Sequence, residues 1–133
     1  MPFKPVIILA DELPLGLKTN FAAVLGMSLG QLRPELVGAA TPTLDGVTLC
    51  GITSVPIPVL GAPTADLSAL FLAARELPIR LAYMRSAFEA TDYTDYAARI
   101  AAAPLADHSP QAILFGGPPK AVDRICGRLP LLR

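Results

Sequence analysis

Runs of apolar residues separated by polar, proline-containing loops divide the chain into elements, and the period of each run predicts its type. Residues 5–10, PVIILA, are continuously apolar and β-branched at their centre, the pattern of a strand covered on both faces and therefore central in its sheet. The loop DELPLGLKTN follows, and Thr19 or Asn20 stands where it can cap a helix by accepting a hydrogen bond from a free N–H of the first turn. That helix is expected to run to about Gln31. Phe21, Leu25, Leu29 and Leu32 recur at helical spacing and form the stripe that faces the sheet. Val24 and Met27 fall partly off the stripe, and no charge interrupts residues 21–32. A helix apolar nearly all round has a second covered face, so a subunit contact or another covering segment is expected there.

Residues 38–61 are rich in Thr, Gly and Pro, with Leu44, Asp45 and Gly46 as a hairpin signal between short extended runs. This predicts an inserted arm between Gly38 and Ser54. Residues 57–60 read as a strand, which Pro56 and Pro58, lacking N–H donors, confine to a sheet edge or bulge. Thr64 is placed to cap a second helix with Leu67, Leu70, Phe71 and Ala74 as its stripe, and Asp66 and Arg75 match the helix dipole at either end. Residues 79–85 alternate as a third strand. Asp92 caps a helix over residues 93–103, residues 112–115 form the last strand, and Gly116 and Gly117 make a turn. Pro119 then opens a helix with Val122, Ile125 and Cys126 inward, and Gly127 ends it. Strands alternating with helices imply right-handed crossovers and a three-layer α/β/α architecture.

Composition narrows the class. The 133 residues fit one domain, residues 1–133, large enough to bury roughly 68% of the surface of the unfolded chain. Apolar residues make up 53% and charged ones 17%, yet charges at Lys18, Arg33 and Glu35 bracket the longest apolar run, which is shorter than the ~18–20 residues of a membrane span. The N-terminal segment has no small-x-small cleavage site and reads as a strand. The two cysteines, Cys50 and Cys126, and the lone His108 fit neither a disulfide framework nor a metal site. Two reduced, partly buried thiols in a cytoplasmic protein are expected. Eleven basic residues balance eleven acidic ones and form no run, so an electrostatic footprint for nucleic acid is missing. The stretch from Gly116 to Lys120 lacks the spacing of a phosphate-binding loop, and no cofactor is expected.

In open α/β sheets, ligands collect beyond the carboxyl ends of the strands. The first strand feeds Asp11, Glu12, Lys18 and Asn20 to that rim, the third feeds Arg85, Ser86, Thr91 and Asp92, and the last feeds the Gly116 and Gly117 turn. If these three strands are parallel neighbours, the groups converge. Asp11 and Glu12, adjacent at a strand end, point in opposite directions and so do not share a proton. Asp92 with Asp95 has the spacing of a capping box, with Tyr93 and Tyr96 packing inward or on a partner. His108 is expected to be solvated.

The order of strand, DELPLG loop, helix with Ala22 and Ala23 in its first turns, strand, GGPP, helix and the ending VDRICGRLPLL resembles the archaeal and eukaryotic type of peptidyl-tRNA hydrolase. It resembles still more closely an uncharacterised bacterial family, a domain of unknown function sharing that fold. The resemblance spans the chain apart from the arm at 38–54. It implies a small mixed sheet of about four strands with helices on both faces, a dimer, and hydrolysis of the ester between peptide and tRNA. It also implies a polar constellation whose lysine, glutamine, histidine and aspartate fall at Asn20, Val24, Met27 and Ser86. Valine and methionine neither activate water nor stabilise an oxyanion. The expectation is therefore a small-ligand or protein-binding domain without peptidyl-tRNA hydrolase activity. The alternative is a divergent ester or amide hydrolase acting at the carboxyl ends of the strands.

Overall fold

The computed structural model describes residues 2–133. In chain order its elements are β1 (Lys4–Ala10), α1 (Leu15–Leu32), β2 (Thr41–Pro42), β3 (Thr48–Leu49), β4 (Val59–Ala62), α2 (Thr64–Ala73), β5 (Ile79–Met84), α3 (Arg85–Glu89), α4 (Tyr93–Ala101), β6 (Pro110–Gly117) and α5 (Pro119–Cys126). Strand β1 is the axis. Val6, Ile8 and Ala10 pack into one cluster with Leu67, Leu70, Val122 and Cys126 of α2 and α5. Ile7 and Leu9 pack into a second cluster with Phe21, Leu25 and Leu29 of α1. Because side chains of a strand alternate between faces, burial on both sides demands the unbroken apolar run of β1. The result is the expected three-layer α/β/α arrangement.

The sheet order is β4-β1-β6-β5. Strand β4 is parallel to β1, whereas β6 is antiparallel to both β1 and β5. The carboxyl ends of β1, β4 and β5 therefore share a rim with the start of β6, and the last strand delivers its end to the opposite edge. Gly116 and Gly117 are not a turn on that rim. They lie within β6, opposite Pro5 and Lys4. A Cβ at Gly116 would overlap the Phe3 ring, and one at Gly117 would lie 3.0 Å from Pro78 Cδ. Close packing, not turn geometry, selects glycine at these two positions.

Strand β4 takes the edge position that Pro56 and Pro58 implied, two residues later than expected. Its outer side is covered by the C-terminal segment, with the Gly61 N–H donating to Pro130 O at 3.2 Å and the Leu132 N–H to Val59 O at 2.9 Å. The arm is the expected hairpin. Strands β2 and β3 pair antiparallel around a turn in which Gly46 has φ 87°, the left-handed region that favours glycine. Leu44, Leu49 and Ile52 are exposed along the arm.

Threonine caps neither of the first two helices. Helix α1 begins a turn earlier than Thr19, after Pro14, whose carbonyl accepts from the Leu17 and Lys18 N–H groups. The Thr19 hydroxyl instead donates back to the carbonyls of Leu15 and Gly16, and Asn20 makes no cap. Helix α2 follows Pro63 in the same way, leaving the Thr64 hydroxyl free for another partner. A proline with φ near −60° enters a helix without strain, and its carbonyl takes the first turn's bonds. Asp92 does cap α4, accepting from the Asp95 N–H at 2.8 Å.

On the apolar face of α1, Phe21, Leu25 and Leu29 are buried as expected, while Leu32 is exposed at the helix end. Val24 is 41% and Met27 83% exposed, with no segment of the described residues covering Met27. His108 is half-buried rather than solvated, because its Nε2 lies 3.0 Å from Ile100 O and 3.2 Å from Ala103 O at the end of α4. Cys126 is buried but Cys50, on the arm, is exposed. Among the described residues, no helix is long and apolar enough to cross a membrane.

Candidate functional site

The rim residues divide into separate local contacts. The Glu12 carboxylate accepts from the Thr64 hydroxyl and, at 2.9 Å, from the Thr64 N–H, fastening the end of β1 to the start of α2. The Thr64 hydroxyl, then its N–H, hold the Glu12 carboxyl below its ordinary pKa, with a smaller contribution from the Lys18 ammonium. Asp11 lies against Gly61, where any Cβ would overlap its Oδ1. Lys18 is half-buried, and Asn20 is exposed on α1.

Across the rim, Arg85 pairs with Glu89 at 3.6 Å within α3, and Ser86 follows it in the same helix. Thr91 donates its N–H at 3.0 Å to the Asp95 carboxylate, while Asp92 accepts from the Asp95 N–H. This differs from a capping box by one position, because the Asp95 carboxylate reaches the N–H of Thr91, before the cap, instead of that of Asp92. The Thr91 N–H, then Arg99, lower the pKa of Asp95. No side-chain hydrogen bond joins any two of Asp11, Glu12, Lys18, Asn20, Arg85, Ser86, Thr91 and Asp92.

What the fold does assemble is a groove of about 490 Å³ between α1, β5 and the α3–α4 corner. Val24 and Ser28 line it from α1, Tyr83 from β5, and Asp92, Tyr93 and Tyr96 from the start of α4. The chain has three tyrosines and no tryptophan, so every tyrosine of the protein faces this groove. The Tyr83 ring stacks on buried Phe21 with centroids 3.9 Å apart and planes at 17°, which fixes its orientation. Tyr93 and Tyr96 meet edge to face at 5.2 Å and 61°, the favourable geometry for ring quadrupoles. Burial raises the phenol pKa of Tyr83 and of Tyr96, the latter also through Tyr93.

The remaining polar groups of the wall are already engaged or sparse. The Ser28 hydroxyl donates to Val24 O in its own helix at 3.4 Å. Asp92 is the one charged residue in the lining, and only its Oδ1 has a protein partner among the described residues. A second pocket, about 420 Å³ and almost entirely apolar, lies between α2 and the loop that carries His108. Among the described residues, no cluster of three or more His, Cys, Asp or Glu could hold a metal ion.

Of the rim residues expected from the sequence, the structure places Asp92 in the groove and Arg85 in a smaller pocket of about 140 Å³ beside Leu13 and Phe88. Tyr83 and Ser28 were not anticipated as site residues. The available signal was the confinement of all tyrosines to residues 83–96 of a tryptophan-free chain.

A protein family described as "Protein of unknown function (DUF2000)" matches residues 3–133, and the chain belongs to that family. A solved structure of a protein of unknown function from Agrobacterium tumefaciens strain C58 superimposes with a TM-score of 0.90 at 18% sequence identity, covering 100% of this chain and 99% of that one. At that identity the likeness shows the fold alone. No curated protein matches the chain.

Proposed function

We propose that this DUF2000 member is a binding domain, acting as a cytoplasmic homodimer, whose ligand occupies the tyrosine-lined groove and leaves it chemically unchanged. The observation that carries this reading is the gathering of every tyrosine around one groove whose wall holds no His, Cys, Lys or Arg and a single carboxylate, that of the helix cap Asp92. Tyrosine gives contact area with a polar tip, and the groove's volume lies in the range of small-molecule sites.

Hydrolysis asks for a base near neutrality and a donor aimed at the developing oxyanion. The lining has no His, Cys, Lys or Arg. Burial shifts the phenols of Tyr83 and Tyr96 away from neutrality, Ser28 is bonded to its own helix, and Asp92 is a helix cap. Val24, where the hydrolase resemblance puts a glutamine, stands in this wall as hydrocarbon. In this reading Arg85, Ser86 and Thr91 support the corner that presents Asp92. Asp11, Glu12, Lys18 and Asn20 frame the neighbouring strand end.

The exposed apolar side chains of Met27, Leu44 and Ile52, 83%, 107% and 80% accessible, are the surface the proposed dimer would cover. Two unpaired cysteines suit a reducing compartment.

The test combines two measurements. A small-fragment set titrated into ¹⁵N-labelled protein is expected to shift amides around Tyr83, Tyr93 and Tyr96, and Tyr96→Ala to abolish those shifts. Peptidyl-tRNA and an activated aryl ester are expected to show no turnover above buffer. Turnover removed by Asp92→Asn, or fragments binding only away from the groove, overturns the proposal. Sedimentation should show a dimer that Met27→Glu or Ile52→Glu dissociates.

A further inference from the structure

We infer that the groove's ligand is a small organic cation, an amine or quaternary ammonium compound; this rests on the groove being the binding site. The face of each tyrosine ring carries the negative lobe of its quadrupole, which attracts a cation placed over it. Three such rings line one groove here, Tyr83 with one face taken by Phe21 and Tyr93 and Tyr96 edge to face, and the only formal charge in the wall is the Asp92 carboxylate. No lysine, arginine or histidine lines it. The arginines of the adjoining helices are paired, Arg85 with Glu89 at 3.6 Å and Arg99 with Asp95 at 3.1 Å, so neither is free to repel a bound cation. On a chain of zero formal net charge, the groove is thus a local concentration of negative potential.

The alternatives fit less well. An anion would meet a carboxylate and ring faces of its own sign. A neutral apolar molecule would cover the rings but offer no partner to the exposed Asp92 Oδ2, which has no protein donor among the described residues. A cation satisfies both surfaces. The stacking of Tyr83 on Phe21 presets one wall, which lowers the ordering cost of binding.

Choline chloride and its neutral isostere 3,3-dimethyl-1-butanol, titrated at constant ionic strength, test this directly. Because the chain has no tryptophan, intrinsic fluorescence reports this groove alone. Choline is expected to perturb the emission saturably and to bind about tenfold more tightly than the isostere, the ratio that cation–π and ion-pair contacts together supply. Asp92→Asn keeps a competent helix cap, since asparagine caps as well as aspartate, and is expected to reduce that preference to the smaller part the ring faces supply. Circular dichroism of the variant verifies that α4 persists.

Equal binding of the two probes, or a preference for choline left undiminished by Asp92→Asn, overturns the cationic ligand while the groove reading stands on its fragment shifts. Silence towards choline overturns it as well. A trimethyl-lysine peptide binding tenfold more tightly than choline would transfer the site to a protein side chain and overturn the small-molecule assignment.

Discussion

Replacing Gly116 by alanine tests the reading of that glycine as a packing position inside β6. The added Cβ would overlap Phe3 Cζ and lie 3.0 and 3.1 Å from its two ε carbons, so the ring must leave. Phe3 is half-buried against the α1 cluster, and the Arg33 guanidinium lies 4.3 Å over its face. Expelling a half-buried phenylalanine forfeits about 0.75–1.5 kcal/mol, half the value for full burial, and the cation–π contact adds about 0.5–1 kcal/mol. Removing a glycine from a strand interior returns about 0.5–1 kcal/mol. The net destabilisation is about 1 kcal/mol, a fall of roughly 3–5 °C in Tm for a domain of this size. Urea and thermal unfolding followed by circular dichroism measure it. In a Phe3→Ala background the obstacle is absent, so the same substitution should be neutral or mildly stabilising, a sign reversal that a double-mutant cycle isolates. Equal destabilisation in both backgrounds refutes the reasoning and implicates backbone conformation instead.

The folded-state pKa of Asp95 is depressed, chiefly by the Thr91 N–H, so its contribution to stability is present at neutral pH and lost as pH falls through that lowered value. The protection of the Thr91 amide, its exchange rate relative to the intrinsic rate at the same pH, should fall at pH below the ordinary carboxylate range, and that fall should vanish in Asp95→Asn; protection independent of pH in the wild type would contradict the contact. Cys50 is exposed, whereas burial raises the pKa of the Cys126 thiol, so a disulfide reagent at neutral pH should titrate one thiol quickly and the second only on unfolding. Two fast thiols would show α5 to be open. At Gly46, φ is 87° with free space around a Cβ, so Gly46→Val should cost about 1–2 kcal/mol of hairpin stability and Gly46→Asn much less; equal exchange rates of the Val47 amide in the two variants would refute the turn assignment.

Elements whose cause is local were legible in the chain. The continuous apolar run of β1 specified burial on two faces, Phe21, Leu25 and Leu29 specified the inner stripe of α1, and Asp92 and Gly46 specified a cap and a turn within a few residues of themselves. The helix starts were misread because a threonine ahead of an apolar run competes with a proline nearby. Pro14 and Pro63 open the helices, and Thr64 is drawn to Glu12, 52 positions away.

Strand direction was not legible, because the alternation of apolar and polar residues reads the same in either sense. Gly116 and Gly117 therefore looked like a rim turn until β6 proved antiparallel to its neighbours. The groove belongs to the same class of fact. Tyr83 owes its place to β5 and its stacking to Phe21, while Tyr93 and Tyr96 arrive through the α3–α4 corner. Hydrophobic period and turn chemistry, acting over a few residues, settled which elements form in this protein. Which side chains share a cavity depended on sheet order and helix packing between residues far apart in the chain, and only the tertiary structure decided that.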